Sequence, residues 1–323
     1  MHEHDSNFTI CSLVPGATEI LCSLGLEGNI IGISDLCYYP ESIQDKPIVS
    51  NSRVITEGFT SAQVELEMKR ILESGQVPYD VDVEWFKSQR PDLIITQDNC
   101  NICEIDIDFI QSRLNQFGYK PEVLVIDPKS ISQIYTSIRE IAFSTNKVIA
   151  GEALICGLRL RIKELLDVFH DYPPTRVISI EGVDPLVLGG NWIPEMYRLL
   201  GCDYGIMKKG SSAMRIKIEE IVNFDPEYIF VDLCSSSLER QVKEVKWLFE
   251  LPDFLDITAI KMNNFYILEH EYYSNPGPRI IDGIELVANI LKPGSCETPG
   301  LKGLKLVNNP PKENGMRDYA GLV

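Results

Sequence analysis

Short apolar runs alternate with amphipathic stretches along this chain, and the alternation predicts an α/β fold. Thr9-Ile10-Cys11-Ser12-Leu13 reads as a buried strand, Pro15-Gly16-Ala17-Thr18 as a turn, and 19–24 as a helix closed by Gly25. Ile30-Ile31-Gly32-Ile33 reads as the next strand. Strand, helix, strand in that order calls for a parallel sheet with helices on its faces. Further strands are expected at 92–96 and 123–126, with a helix at 108–117 between them. A second set follows, with strands at 176–180, 228–231 and 264–268 and helices at 192–201 and 278–291.

Two segments interrupt this rhythm. Residues 51–80 look inserted, and within them Thr60-x-x-Gln63 has the spacing of a capping box. Val64, Met68, Ile71 and Leu72 then fall on one helix face, and Gly75 can end the helix. From 144 to 170, Val148, Ile155, Leu158, Ile162, Leu165 and Phe169 recur at helical steps, opened by Ser144-Thr145-Asn146 and stopped before Pro173-Pro174. Such a helix of about 25 residues would be about 37 Å long, long enough to tie two lobes together. The expected organisation is an N-terminal α/β lobe at 8–143, a connecting helix at 144–172, a C-terminal α/β lobe at 173–293 and a loosely ordered tail at 294–323.

One spelling occurs in both halves. Glu84 is followed seven residues later by Pro91 and then Asp92-Leu93-Ile94-Ile95, and Glu219 by Pro226 and then Glu227-Tyr228-Ile229-Phe230. Each reads as a short helix that stops at a proline and feeds a buried strand. Two related lobes make a cleft, and the fold class follows: two Rossmann-like α/β lobes joined by a single long helix, with the ligand cleft between them.

Size and charge narrow the partners. The chain has 323 residues, 44% hydrophobic and 24% charged, with a formal net charge of -17, which suits two domains of ordinary size. That charge repels phosphate backbones and anionic lipid, so nucleic acid and membrane surfaces are poor partners. No segment is apolar for the ~18 residues that a membrane span needs. Nine cysteines, an odd number lying mostly in apolar runs, suggest buried free thiols in a reducing compartment. The start, Met1-His2-Glu3-His4-Asp5-Ser6-Asn7, lacks the basic and apolar stretches of a secretory signal. The expected location is cytoplasmic.

Open α/β sheets bind ligands at the carboxyl ends of their strands. The turns that compete are 15–18, 97–103, 189–192 and 270–274, with the loop at Tyr38-Tyr39 beside them. None has the glycine pattern of a phosphate loop or a dinucleotide fingerprint, so nucleotide binding has no support. Their aromatic and amide side chains suit a large ligand with a flat face and amide edges. Trp192 beside Gly189-Gly190 could be a stacking plate, or could simply pack over its own helix start. Cys100-Asn101-Ile102-Cys103 has the spacing of half a zinc site, with His270 the one histidine placed to join it. Two ordinary thiols, or a redox pair, are the other readings. Hydrolase, kinase and metalloprotease signatures are missing. Glu84 and Glu219 each fit a first helical turn, where the helix dipole favours a carboxylate.

The chain resembles the cobalamin-binding type of ABC-importer substrate-binding protein over roughly residues 8 to 292. The likeness is carried by Ser12-Leu13-Val14-Pro15-Gly16-Ala17-Thr18-Glu19, Tyr39-Pro40, Arg90-Pro91-Asp92-Leu93-Ile94, Gly189-Gly190-Asn191-Trp192-Ile193-Pro194-Glu195 and Ser274-Asn275-Pro276-Gly277-Pro278-Arg279. It looks closer to a longer, leaderless subgroup. The resemblance implies non-enzymatic binding of cobalamin or another corrinoid between the lobes, a periplasmic or extracytoplasmic placement by analogy, and transport as the context. Pro15, Ala17, Thr18, Tyr38, Tyr39, Gln97, Asp98, Asn99, Asn191, Trp192, Tyr272 and Tyr273 would line the cleft. It also implies that Glu84 and Glu219 dock to arginines of an ABC permease. Three rivals remain: the same fold holding haem, a siderophore or another metal chelate; a cytosolic metal or redox protein using Cys100 and Cys103; and an enzyme acting on a corrinoid.

Overall fold

The computed structural model describes residues 8–54, 59–76, 78–97, 116–234 and 236–297, and the backbone of 303–306 and 319–322. Lobe one is built on a six-stranded sheet in the order β4-β3-β2-β1-β5-β6. Its strands are β1 (Ile10–Ser12), β2 (Ile30–Ser34), β3 (Ile48–Ser52), β4 (Tyr79–Val81), β5 (Leu93–Gln97) and β6 (Glu122–Ile126). All pair in parallel except β4, which runs antiparallel to β3. Its helices are α1 (Pro15–Ser23), α2 (Ser61–Glu73), α3 (Val83–Gln89) and α4 (Ile131–Ser144).

Lobe two carries a seven-stranded sheet in the order β13-β12-β11-β10-β7-β8-β9. These strands are β7 (Val177–Val183), β8 (Leu186–Leu188), β9 (Met214–Arg215), β10 (Tyr228–Val231), β11 (Phe265–Leu268), β12 (Gly303–Leu306) and β13 (Tyr319–Leu322). Only β7, β10 and β11 are parallel neighbours. Between the lobes runs α5 (Val148–Val168), and lobe two adds α6 (Ile193–Leu199), α7 (Ile218–Phe224), α8 (Leu238–Glu244), α9 (Pro252–Leu255), α10 (Thr258–Lys261), α11 (Glu271–Ser274) and α12 (Ile280–Leu291). The two-lobed α/β architecture is the expected one.

The repeated spelling becomes a repeated shape. Helices α3 and α7 each span seven residues and end on a residue in the left-handed conformation, Arg90 at φ 48° and Asp225 at φ 48°. A proline follows each of them, and a residue before proline is kept out of the right-handed helix. The chain therefore leaves the helix and enters β5 or β10. Glu84 and Glu219 lie in the first turns of these helices.

Several expectations shift in detail. The helix α4 was not anticipated, although Ile131, Ile134, Tyr135, Ile138, Ile141 and Ala142 carry its buried face. Thr145 and Asn146 close α4 rather than open α5. The Thr145 hydroxyl donates to the Ile141 carbonyl at 2.6 Å, and Asn146 sits at φ 56°. The connecting helix is accordingly shorter, 21 residues, or about 31 Å. The capping box of Thr60 and Gln63 forms. Val64, Met68 and Ile71 pack with Val54 in a small separate cluster, while Leu72 is 47% exposed. The helix expected at 108–117 falls largely outside the described residues. The tail is corrected in part: β12 and β13 extend the second sheet antiparallel from β11.

Helix α5 is fastened at both ends. Toward lobe one, a Cβ placed on Gly151 would lie 2.6 Å from the Ala142 Cβ, so α4 and α5 touch where only glycine fits. Arg139 and Glu152 bridge the same pair of helices at 2.6 Å. Toward lobe two, Arg161 forks onto α12, reaching Glu285 at 2.6 Å and Asp282 at 2.5 Å. In an open helix Gly→Ala stabilises by about 1 kcal/mol. Overpacking costs typically about 1–3 kcal/mol, so Gly151→Ala is predicted to be net destabilising. Denaturant unfolding checks the sign, and a stabilised variant would mean the helices are not this close.

Candidate functional site

Parallel strands of both sheets deliver their carboxyl ends to one seam. The first helix of lobe one starts there, with Pro15 at its first position. Backbone meets backbone: a Cβ on Gly16 would lie 2.7 Å from the Pro276 carbonyl oxygen, and one on Gly277 would lie 3.0 Å from Glu19 Oε2. Glycine at both positions lets the lobes approach this closely.

Arg279 joins the lobes at this contact. Its Nη2 donates to Glu19 Oε1 of α1 at 2.7 Å and its Nη1 to Glu271 Oε2 at 2.7 Å. The guanidinium lies 3.7 Å from the centre of the Tyr39 ring and 5.6 Å from that of Tyr272. Glu19 is 3% exposed and Arg279 8%. Burial pushes the Glu19 carboxyl up from 4.5 to about 7, against the pull of Arg279 and with a push from Glu271 and Asp282. Glu19 Oε2, Arg279 Nε and Asn191 Oδ1 are buried with no hydrogen-bond partner among the described residues.

Two more carboxylates of lobe two reach helix starts of lobe one. The first N–H groups of a helix have no acceptor of their own, and that end is positive. Glu195 of α6 accepts from the Ile131 N–H, the first residue of α4, at 3.0 Å and is paired with Lys209 at 2.6 Å. Glu244 of α8 accepts from the Ser61 N–H, the first residue of α2, at 2.8 Å. Two shallow hollows of about 220 Å³ each flank these clasps. One is lined by Leu66, Lys69, Asp184 and Pro185, the other by Tyr135, Arg159, Glu195 and Leu199.

The expected cleft residues divide. Pro15, Tyr38, Gln97 and Asn191 are half-buried and Tyr39 is 45% exposed. Burial, with a push from Glu271, raises the Tyr38 hydroxyl above its ordinary value. Ala17 and Thr18 are fully buried, with the Thr18 hydroxyl donating to Ser12 Oγ at 2.8 Å. Tyr273 is fully buried and its hydroxyl donates to the Gly283 carbonyl at 3.0 Å. Trp192 is 4% exposed, and its indole N–H donates to the Tyr273 carbonyl at 2.6 Å. The stacking-plate reading of Trp192 therefore gives way to packing. The double glycine has its own reason too, since a Cβ on Gly190 would fall 2.1 Å from the Ala213 nitrogen. Tyr272 is 7% exposed beneath Arg279. Asp98, Asn99, Cys100 and Cys103 lie outside the described residues. Among those described, no cluster of three metal-ligating side chains exists.

Sequence reasoning passed over Glu19, Glu271, Arg279, Glu195 and Glu244. Glu19, Glu195 and Arg279 stand inside the very motifs that carry the resemblance, which was the available signal. Lobe two also holds an inward polar group. Asp232 is fully buried beyond the end of β10, accepts from Ser179 Oγ at 2.7 Å, and is pushed well up by burial and by Glu181.

No family model matches the chain. The vitamin B12-binding protein of Vibrio vulnificus is 23% identical over 280 residues, spanning 86% of this chain and 88% of the relative. An ABC transporter substrate-binding lipoprotein of Bacillus subtilis, YvrC, is 21% identical over 296 residues, spanning 88% and 80%. Among solved structures, the periplasmic vitamin B12-binding protein BtuF of Vibrio cholerae superposes with a TM-score of 0.65 at 19% identity, covering 88% of this chain and 96% of that one. The periplasmic haem-binding protein RhuT of Roseiflexus gives 0.66 at 18% identity, covering 90% and 100%. The chain is similar to substrate-binding proteins of ABC importers, of the cobalamin-binding type. The resemblance read from the sequence is thus borne out.

The cytoplasmic expectation is overturned by the same relatives, which are periplasmic or, in Bacillus subtilis, a lipoprotein. Free cysteines do not mark a reducing compartment here, for a physical reason. Cys11, Cys37 and Cys202 are buried, and burial pushes the Cys202 thiol up to about 12 and the half-buried Cys22 to about 11. Such thiols stay protonated and unreactive in any compartment.

Glu19→Gln keeps the shape of the clasp and removes its titration. A carboxyl whose folded value exceeds its unfolded one binds its proton more tightly when folded. Its contribution is therefore full below about 4.5 and is lost as pH rises through about 7. His270, which burial pushes down to about 4, has the opposite trend but is present in both proteins and cancels. The stability of wild type relative to Glu19→Gln is predicted to fall across that window in denaturant titrations. A difference that stays flat with pH would contradict the assignment.

Proposed function

We propose that this protein binds a corrinoid, cobalamin or a close relative, without catalysis and in the seam between its lobes. The reading is supported by the vitamin B12-binding relatives. The observation that carries it is the Tyr39–Arg279 stack with orphaned polar atoms on Glu19 and Arg279, together with a third on Asn191 at the opening of α6. Buried polar atoms without partners are costly, and a ligand rimmed with carboxamides supplies both donors and acceptors for them. Tyr38, Tyr39, Gln97, Asn191 and Pro15 keep ligand-facing roles in this reading. Ala17, Thr18, Trp192 and Tyr273 hold the walls behind them. Haem or another metal chelate is the second reading, favoured by the haem-binding structural neighbour.

The partner after binding is an ABC permease. Helices that return along parallel strands begin at the strands' carboxyl ends, on the cleft side. Glu84 and Glu219, one per lobe, stand exposed in such first turns. Both are therefore available to a basic surface that spans the two lobes, and no helix of the described residues is long and apolar enough to cross a membrane.

Titration calorimetry with cyanocobalamin tests the ligand. Tyr39→Ala is predicted to weaken binding by about 1–3 kcal/mol and to cost about 0.5–1 kcal/mol of stability through the lost contact with Arg279. Trp192→Ala is predicted instead to cost about 3–5 kcal/mol of stability. Heat from haem and none from cyanocobalamin would move the protein to the second reading. Glu84→Ala combined with Glu219→Ala should leave the titration unaltered and abolish permease-coupled uptake.

A further inference from the structure

Helix α2, which lies between β3 and β4 in sequence, is fastened to lobe two. Ser61, the first residue of α2, donates both its N–H and its hydroxyl to Glu244 Oε2. Glu244 is held in place by Arg240 at 2.7 Å, and its side chain is 7% exposed. One turn further along α2, Glu65 pairs with Arg215 of β9. Beside these contacts, Ala62, Glu65, Leu66 and Lys69 face the Asp184–Pro185 turn between β7 and β8 across a hollow of about 220 Å³. Three separate elements of lobe two thus meet a helix that belongs in sequence to lobe one.

Among the described residues, what fixes α2 to lobe one is slight. Its apolar side chains Val64, Met68 and Ile71 cluster there with Val54, apart from the main cores. Segments with few buried apolar contacts open at low free energy. The polar contacts to lobe two therefore decide where this helix sits. The opposite side of the molecule is braced by α5, which is packed against both lobes. The two hollows beside the clasps, about 220 Å³ each, are smaller than the roughly 300–1,000 Å³ of a typical ligand pocket. A ligand of corrinoid size has to open one side, and α2 is the side built on few contacts.

We infer that α2 is a strap latched across the cleft mouth by Glu244 and Arg215, and that large ligands enter and leave by unlatching it. Access, and with it selection by ligand size, is set by residues outside the binding surface proper. Only the identity of the ligand rests on the function proposed above. The latch itself is a property of the ligand-free protein.

Two single variants of the full chain test it: Glu244→Ala, and Arg215→Ala at an exposed position that leaves the core intact. Hydrogen exchange without ligand should show the amides of α2 opening about tenfold faster, the loss expected for one charge-assisted contact. Amides of α5 and both sheets should be unchanged. Stopped-flow mixing with cyanocobalamin should then show association and dissociation accelerated by similar factors, with affinity nearly constant. Exchange matching wild type in both variants would overturn the latch. Faster exchange with unaltered binding rates would overturn its role as the entrance. If wild type binds neither cyanocobalamin nor haem, the ligand reading fails and the exchange result alone decides the strap.

Discussion

Carboxylates that cross the seam between the lobes organise this molecule. Glu19 reaches Arg279, Glu195 reaches the start of α4, and Glu244 reaches the start of α2. In the last two, the acceptor belongs to lobe two and the unsatisfied helix N–H to lobe one. A helix start left bare costs stability, and a carboxylate placed there complements the dipole. A buried pair such as Glu19 with Arg279 contributes little net stability over an apolar pair of similar volume. Its value lies in register, because breaking it leaves a charge stranded in a dry seam. The lobes are thereby held in one relative placement, in which the helix N–H groups of Ile131 and Ser61 meet these acceptors.

The brace and the clasps divide the work. Helix α5 is locked by close packing at Gly151 and by the Arg161 fork, both on elements of regular structure. Packed helices are not continuously deformable. The polar clasps at the seam are reversible by comparison. Ligand exchange is therefore expected to involve local release at the seam rather than a swing of whole lobes. A binding protein of this design keeps its lobes at one spacing whether loaded or empty, with movement confined to α2 and the seam and Glu84 and Glu219 at a fixed separation.

Local signals in the sequence were enough for the lobes and most of their strands. The Pro91 and Pro226 turns, with Arg90 and Asp225 forced out of the helix before them, repeat in space as they repeat in spelling. The capping box at Thr60 was legible for the same reason, since it depends on residues three apart. The site was less legible. Trp192 reads as an available aromatic until its indole is seen bonded to the Tyr273 carbonyl, 81 positions away in sequence. Glu244 and Ser61 are separated by 183 positions, and no periodicity links such a pair. Helix α4 was missed even though its spacing was present, because the Ser144-Thr145-Asn146 cluster was read as the start of the next helix.

Small-angle scattering of the whole protein, free and saturated with cyanocobalamin, bears most directly on the idea of two braced lobes clasped around a guest. The account predicts profiles that superpose, with the radius of gyration unchanged by binding. A marked contraction or expansion on loading would show that α5 is a hinge and not a brace, and would contradict it.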